Sequence, residues 1–166
     1  ASGGMSVNFR EFEYNGEKSD ILDNAMVVVD YENGVRGNFN LCMFAPMFSE
    51  ELTVCGDEGR IRAWEHQDFL SNLEMESHME VMCNESKPSR IMKPGYPTWI
   101  ERSGHSGATY YEHVNFIENI EGNTTNTATA AEGLWSVIVA LAAQESIETR
   151  QVINIQDYLD RHGINR

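Results

Sequence analysis

The chain has 166 residues, with 12 Lys and Arg against 26 Asp and Glu and a formal net charge of −14. This length suffices for one domain with its own core, and the charge repels nucleic-acid backbones and anionic membrane surfaces, so we expect neither as a partner. Three widely spaced cysteines without a CxxC motif predict a reduced, cytoplasmic protein without a disulfide framework or a zinc site, and no 18-residue apolar run predicts a membrane span.

A β-hairpin is predicted in the stretch DNAMVVVDYENGVRGNFNLCMF. Asn33-Gly34 lies between two alternating runs, which is typical of a type I′ turn because both central residues need positive φ. With Glu32 opposite Val35, Val28 faces Phe39 on an apolar face that should pack on helices. The other face is mixed, and we expect a partner or ligand to cover it, through self-association of the sheet; it carries Val27, Val29 and Tyr31, with Asn38 and Asn40 opposite the two valines.

A second hairpin is predicted in EELTVCGDEGRIRAWE, around the turn of residues 56–59. Leu52 and Val54 can then share one face with Ile61 and Ala63. Residues 66–100 give a weaker signal: MEVMCN is a candidate strand, whereas three prolines break the rest of this stretch into loops. The histidines of this stretch have no ligand spacing, so no metal site is expected there.

The stretch SGHSGATYYEHVNF contains two histidines with different expected roles. Thr109 and Glu112 match a capping box, which predicts a helix over residues 110–121. His105 lies before it on a glycine-flanked loop, where a side chain that titrates near neutrality can bind or transfer protons; a solvated loop histidine is the alternative. His113 lies beside the apolar stripe of the helix and is expected to be packed and hydrogen-bonded.

The last third of the chain is predicted to be mainly helical. Gly122 fits the residue after a helix end, and a capping box from Thr129 to Glu132 begins a helix over residues 131–147. That helix is apolar on nearly every side, so we expect it to be buried against the sheet, with Trp135 in the core. A short strand over 152–155 and a helical tail complete the prediction.

These elements predict an α+β fold, a mainly antiparallel sheet with helices packed on one face and an open face available for oligomerisation. No stretch resembles a domain linker, so residues 1–166 are expected to form a single domain.

Five stretches together resemble the C-terminal domain of the Gfo/Idh/MocA family of oxidoreductases. They are ASGGMSVNF, DILDNAMVVVDYENGVRGNFNLCMFA, EELTVCGDEGRIRA, GHSGATYYEHVNFIENIEGN and AAEGLWSVIVALAAQESIETRQVINI. The resemblance implies that an N-terminal Rossmann domain precedes this one in the full-length protein and binds NAD or NADP, and that the present domain closes over a sugar or polyol. It also implies oligomerisation through the open sheet.

The resemblance implies that the family's glycine fingerprint and its Glu-Lys-Pro segment would lie upstream of Ala1. Lys87-Pro88 and Lys93-Pro94 follow Ser86 and Met92, so neither matches that segment. We therefore expect a fragment with no catalytic residue, no cofactor site and no metal site of its own.

The resemblance gives the expected function of a substrate and oligomerisation domain that is inactive alone. It implies that His105 and Tyr111 hold a carbohydrate-like substrate, with Asn8 and Arg10, just after the first strand, as further candidates. Two alternatives stay open. The chain could be a stand-alone carbohydrate-binding or assembly module, or part of an enzyme that cleaves glycosides with the help of its dinucleotide.

Overall fold

The computed structural model describes residues 1–68, 75–84, 87–123 and 128–164. The strands and α-helices of the described residues, in chain order, are β1 Ser2–Gly4, β2 Glu13–Tyr14, β3 Glu17–Lys18, β4 Asn24–Asp30, β5 Arg36–Cys42, β6 Met47–Gly56, β7 Gly59–Asp68, β8 Glu76–Met82, β9 Arg90–Met92, α1 Thr98–Glu101, α2 Ala108–Ile120, α3 Ala130–Thr149 and α4 Ile155–His162. Antiparallel strands and helices together confirm the predicted α+β class.

The chain divides into two compact units, one of Ala1–Phe44 with Ala128–Arg166 and one of Ala45–Thr127. The first unit contains a three-stranded sheet of order β1-β4-β5, the β2-β3 ribbon, α3 and α4. The second contains a four-stranded sheet of order β6-β7-β8-β9, α1 and α2. The expectation of a single domain over residues 1–166 stays a prediction.

The register predicted for the first hairpin is wrong by one residue. Asp30 pairs with Arg36 and Val27 with Phe39, and the amide of Tyr31 donates to the carbonyl of Val35 at 2.9 Å. The loop, residues 32–34, therefore has three residues rather than two. The amide of Gly34 donates to the carbonyl of Tyr31 at 2.9 Å, and Gly34 has φ +85°. This is a turn followed by a left-handed glycine, the usual form of a three-residue hairpin loop.

A type I′ conformation does occur at another Asn-Gly pair of the chain. Asn15 and Gly16 have φ of +52° and +82° and connect β2 to β3, with Tyr14 opposite Glu17. Two residues with positive φ are what a type I′ hairpin needs. The same dipeptide thus closes two hairpins of different loop length, and the loop length sets the register.

The shifted register places the apolar residues of β5 on the other face of the hairpin. Phe39 and Leu41 now lie opposite Val27 and Ala25. Ala25 and Val27 are buried on the face whose residues line a groove of about 640 Å³ together with Val139 and Ala143 of α3. The face expected to be open, that of Val27, Val29 and Tyr31, is therefore the one turned towards α3. Solvent instead meets the other face, with 65% of Met26 exposed.

The register predicted for the second hairpin is confirmed. Leu52 pairs with Ala63 and Val54 with Ile61, and Gly56 pairs with Gly59 across a two-residue loop. Of the candidate strand MEVMCN, residues 79–82 lie in β8 and residues 83 and 84 lie beyond its end. Side chains alternate across a strand, so one face of this sheet carries two apolar rows, which run Leu52, Ala63, Met79, Met92 and Val54, Ile61, Val81. We call this the apolar sheet face.

The core of the first unit joins α3 to α4. Ile138 and Ala142 pack with Tyr158 and Leu159. The capping box of α3 is confirmed, since the hydroxyl of Thr129 accepts from the amide of Glu132 at 3.2 Å and the carboxylate of Glu132 accepts from the amide of Thr129 at 2.7 Å. Burial is confined to one stripe of α3, whose buried members are Ile138, Ala142 and Ser146, and Trp135 is 39% exposed rather than a core residue.

The strand predicted over 152–155 is wrong, and the helix after it is confirmed. The side chain of Asn154 accepts from the amide of Asp157 at 3.1 Å and caps α4. Ile153 and Ile155 pack against the helical core instead of pairing in a sheet. The alternating apolar residues that predicted a strand belong instead to the connection between α3 and α4. Within the described residues, no helix is long and apolar enough to cross a membrane.

The helix α2 forms where predicted, but not with the predicted cap. It begins at Ala108, and its N-cap is Gly107 in a left-handed conformation without a side-chain cap. Thr109 therefore lies inside the first turn and no capping box forms. The C-terminal prediction is confirmed: Gly122 has φ +83° and Asn123 donates to the carbonyl of Glu118 at 2.9 Å, as in a Schellman motif.

Candidate functional site

Four aromatic side chains of the second unit form a connected group, which we call the aromatic cluster. Its ring centroids are 4.8 Å apart for Tyr96 and Tyr111, 5.3 Å for Tyr110 and Tyr111, and 5.2 Å for Trp99 and Tyr110. The last two pairs meet edge to face, an arrangement favoured by the ring quadrupole. Trp99 is 63% exposed and Tyr96 48%, so the cluster presents ring surface to solvent.

A close approach between α1 and the start of α2 brings these rings together. Ile100 of α1 is 5% exposed and lies against Gly107. A Cβ atom at residue 107 would lie 2.8 Å from Cγ2 of Ile100 and 3.3 Å from Cδ2 of Tyr96. A residue without a side chain is therefore needed at this point.

Residues 104–107, which we call the left-handed segment, connect α1 to α2. Their φ angles are +108° for Gly104, +45° for His105, +50° for Ser106 and +98° for Gly107. Glycine adopts such angles freely, whereas other residues meet a steric cost of roughly 1–2 kcal/mol each. Strained residues of this kind persist where the surrounding structure holds them, and they cluster at functional sites.

A carboxylate of the four-stranded sheet contacts this segment. The hydroxyl of Ser106 donates to Oε2 of Glu65 at 3.0 Å, and the hydroxyl of Ser77 donates to Oε1 at 2.5 Å. Glu65 of β7 and Ser77 of β8 are paired residues of the sheet. Both carboxylate oxygens are thus engaged, and one of them connects the sheet to the left-handed segment.

Two of the predicted site residues lie within one short stretch of the second unit. His105 is exposed and belongs to the left-handed segment, and Tyr111 is half-buried in the aromatic cluster. The other two belong to the first unit. Asn8 is exposed, and its side chain donates to the carbonyl of Met43 at 2.6 Å; Arg10 is exposed. Substrate contact by any of the four stays a prediction.

His113 differs from the packed residue expected from its position. Its Nδ1 is 2.8 Å from the carbonyl oxygen of Thr109, one turn earlier in α2. A carbonyl oxygen only accepts, so Nδ1 carries a hydrogen and donates this hydrogen bond. The side chain is exposed, as are Phe116, Ile117 and Ile120 of the stripe beside it. The hydrogen bond was correctly expected and the packing was not.

Three residues of this site were not predicted from the sequence. Tyr96 and Trp99 lie in the proline-rich stretch that was interpreted as loop, and Glu65 lies on a strand where alternation places it with apolar neighbours. Tyr96 just before Pro97 and Trp99 two residues after it were the available signal for the rings. No sequence signal connects Glu65 to Ser106, which is 41 residues away.

Asp23 is a further unpredicted residue, in the first unit. It is fully buried, and its carboxylate accepts the amides of Val7 at 2.6 Å and of Ser6 and Asn8 at 2.8 Å, with the side-chain amide of Asn24 at 2.8 Å. Burial alone raises the pKa of a carboxyl group, but the hydrogen bonds from Val7, Ser6, Asn24 and Asn8 outweigh it and hold the pKa of Asp23 well below its ordinary value. This carboxylate fixes the chain that follows β1.

The polar face of the four-stranded sheet has its own ring contacts. The guanidinium of Arg62 donates to both carboxylate oxygens of Glu51 at 2.9 and 2.7 Å, which lowers the pKa of Glu51 and raises that of Arg62. The ring of Trp64 stacks on His78 at 5.1 Å and lies 4.6 Å from the guanidinium carbon of Arg62. The ring of Trp64 thus packs between side chains of its own sheet, and we assign it a structural role.

The exposed rings of the aromatic cluster and the imidazole of His105 are groups that can contact a ligand. Exposed rings can pack on the apolar face of a sugar, and an imidazole such as that of His105 can donate to or accept from a hydroxyl. A dinucleotide site of the Rossmann type has other requirements, a glycine turn between a parallel strand and a helix. The strands of the described ranges pair antiparallel, and their residues do not fit such a site.

The antiparallel sheets and helices define the class of this chain as an α+β domain. A family model described as "Oxidoreductase family, C-terminal alpha/beta domain" matches residues 4–155. The chain belongs to this family, which confirms the resemblance stated from its sequence. A search of curated proteins returned no match.

Proposed function

We propose that this chain is the substrate-side domain of an NAD(P)-dependent oxidoreductase that acts on a sugar, polyol or related carbohydrate. Its role would be to bind and orient the substrate, and it would be inactive alone because the cofactor is held elsewhere in the full-length protein. The family match supports the oxidoreductase context. The observation that carries the substrate class is the solvent-exposed ring surface of Trp99 and Tyr96 beside the left-handed segment.

We further propose that the substrate is uncharged. The chain carries a formal charge of −14, which repels a phosphorylated sugar. Within the site, the carboxylate of Glu101 accepts the amide of Tyr96 at 3.1 Å, and so adds negative charge beside the rings. A neutral hexose or a linear polyol meets no such repulsion.

The test is a titration of the chain with D-glucose and with sorbitol, followed by amide chemical shifts in NMR. We expect shifts concentrated over residues 96–111 and a dissociation constant on the order of millimolar. Trp99→Ala should weaken binding by about tenfold. The matched control is Tyr14→Ala, which removes an exposed aromatic side chain of the first unit. Equal affinity for glucose 6-phosphate would contradict the proposal of an uncharged ligand, and no shifts near Trp99 would contradict the site.

A second part of the proposal is homo-oligomerisation through the apolar sheet face. Leu52 is 66% exposed and Val54 57%, and they continue into the apolar rows of β7 and β8. A self-complementary apolar patch suits a twofold contact with a second copy. In sedimentation analysis, Val54→Lys should shift the chain towards monomer, whereas Thr53→Lys on the opposite face should not. A monomeric wild-type chain at high concentration would contradict this part.

We also propose a cytoplasmic location, which the thiols support. Cys42, Cys55 and Cys83 are all free and exposed, a state that reducing conditions maintain. This supports the cytoplasmic location expected from the sequence. Blockage of any of the three by a disulfide in protein isolated from its native source would contradict it.

A further inference from the structure

Glu65 occupies a position that the sheet itself does not favour. Directly opposite it on β6 lies Glu50, and like charges at paired positions destabilise an antiparallel sheet. The same face continues into Leu52, Ala63 and Met79, so an apolar residue at position 65 would extend the apolar sheet face. Contacts outside the strand pairing must therefore stabilise the carboxylate of Glu65.

Two serine hydroxyls stabilise the carboxylate of Glu65. Its Oε2 accepts from the hydroxyl of Ser106 at 3.0 Å, while Ser77 holds Oε1 at 2.5 Å. Ser106 has φ +50°, an angle that non-glycine residues avoid. The hydrogen bond therefore ties a strained residue to a regular strand, with the orientation of the carboxylate set by Ser77.

Resting on the proposed carbohydrate site, we propose that Glu65 is a positioning residue, which holds Ser106 in the left-handed conformation and so fixes His105 for the ligand. His105 precedes Ser106 and shares its left-handed angle, with φ +45°. Gly107, at the end of the segment, lies against Tyr96 of the aromatic cluster. Loss of the tether releases the segment to right-handed angles, which redirects the imidazole of His105 relative to the cluster.

The test separates the tether from the conformation that it maintains. Ser106→Ala and Ser106→Gly both remove the hydroxyl, but glycine adopts positive φ freely and alanine does not. We expect Ser106→Ala and Glu65→Ala each to weaken sorbitol binding by about fivefold or more. Ser106→Gly should stay within about twofold of wild type. Adding Glu65→Ala to Ser106→Gly should then cost little, because the tether has no residue left to hold.

A structural measurement decides the mechanism independently of the ligand. One-bond Cα–Hα couplings and Cα shifts of residues 105 and 106 report the sign of φ. These should move to right-handed values in Glu65→Ala and Ser106→Ala, and remain in Ser106→Gly. Glu50→Ala is the matched control, since it removes the paired exposed carboxylate of β6 and should leave both couplings unchanged.

Unchanged couplings in a folded Glu65→Ala variant would overturn the positioning role. Glu65→Leu, which removes both acceptor oxygens and suits the neighbouring apolar sheet face, serves if the alanine variant fails to fold; unaltered φ and unaltered sorbitol affinity in it would also overturn the role. If the wild-type chain binds no sorbitol or glucose, the proposed function fails, while the couplings still show whether Glu65 sets the segment.

Discussion

The carboxylate of Asp23 accepts the amide of Val7 at 2.6 Å, across 16 residues of sequence. This hydrogen bond belongs to a set that folds the chain after β1 back onto the start of β4. A buried carboxylate with its lone pairs filled by amides is stable, whereas the same position without the negative charge leaves donors unpaired.

Asp23→Asn should therefore destabilise the first unit strongly. The amide replacing one carboxylate oxygen is a donor and cannot accept from the amides that converge there. We expect the melting temperature to fall by about 5 °C or more. Asp20→Asn, which changes an exposed carboxylate three residues earlier, should leave it within about 2 °C. Equal effects of the two changes in differential scanning calorimetry would contradict the role of Asp23.

The contribution of Asp23 should depend on pH in the acid range. Its pKa is lowered in the folded state from an ordinary value of 3.8, so the stabilisation is fully present above that value and is lost as the pH falls below it. The difference between the melting temperatures of wild type and Asp23→Asn, measured from about pH 6 to about pH 2, should become smaller towards the acid end. A constant difference over this range would show that Asp23 does not titrate with folding.

Gly107→Ala should destabilise the second unit more than Gly122→Ala. Both glycines have positive φ, so each change adds roughly 1–2 kcal/mol of backbone strain. A Cβ at residue 107 also meets Ile100 at 2.8 Å, whereas nothing lies within 4 Å of one at residue 122. The clash should add roughly 1–3 kcal/mol. Urea unfolding followed by the amide signals of α2 measures the difference, and equal losses would show that the contact with Ile100 relaxes freely.

The two histidines should separate ligand binding from helix stability. His105→Ala should weaken binding of the neutral sugar by about tenfold, about 1.4 kcal/mol, with little change in melting temperature. His113→Ala removes one exposed hydrogen bond to Thr109, and we expect a loss of only about 0.5–1.5 kcal/mol of stability with unchanged affinity. Loss of binding in His113→Ala alone would place the ligand on α2 and contradict the left-handed segment.

The chain by itself should bind NAD(H) no more tightly than about 1 mM, a free energy near −4.1 kcal/mol. The physical reason is that the described strands pair antiparallel and provide no strand–glycine turn–helix crossover. Isothermal titration calorimetry measures this directly. Micromolar affinity would show that the chain holds a dinucleotide site of another kind.

The fold class could be predicted because turn chemistry and alternation agree over most of the chain. Gly56 and Gly59 enclose a two-residue loop, which left one register for the second hairpin, and that register is the observed one. Asn33-Gly34 allows both a two-residue and a three-residue loop. Alternation cannot decide between them because valines occupy both faces of β4, and the residue count of the loop then reverses the faces.

The candidate site was predictable only where its residues are close in sequence. The glycines around His105 indicated a special backbone, and the left-handed angles confirm that indication. The partner of that backbone, Glu65, is 41 residues from Ser106 and resembles any exposed strand residue in sequence. A contact between a strand and a distant loop depends on the tertiary fold, which local sequence patterns do not encode.

The three free thiols provide labelling sites for a measurement of the distance between the two units. Cys42 lies in the first unit, and Cys55 and Cys83 lie in the second. Cys83→Ser would leave one exposed thiol in each unit without any engineered cysteine. Nitroxide labels on that pair would give the distance distribution between the units by pulsed electron resonance, with and without sugar, and would show whether ligand binding changes their spacing.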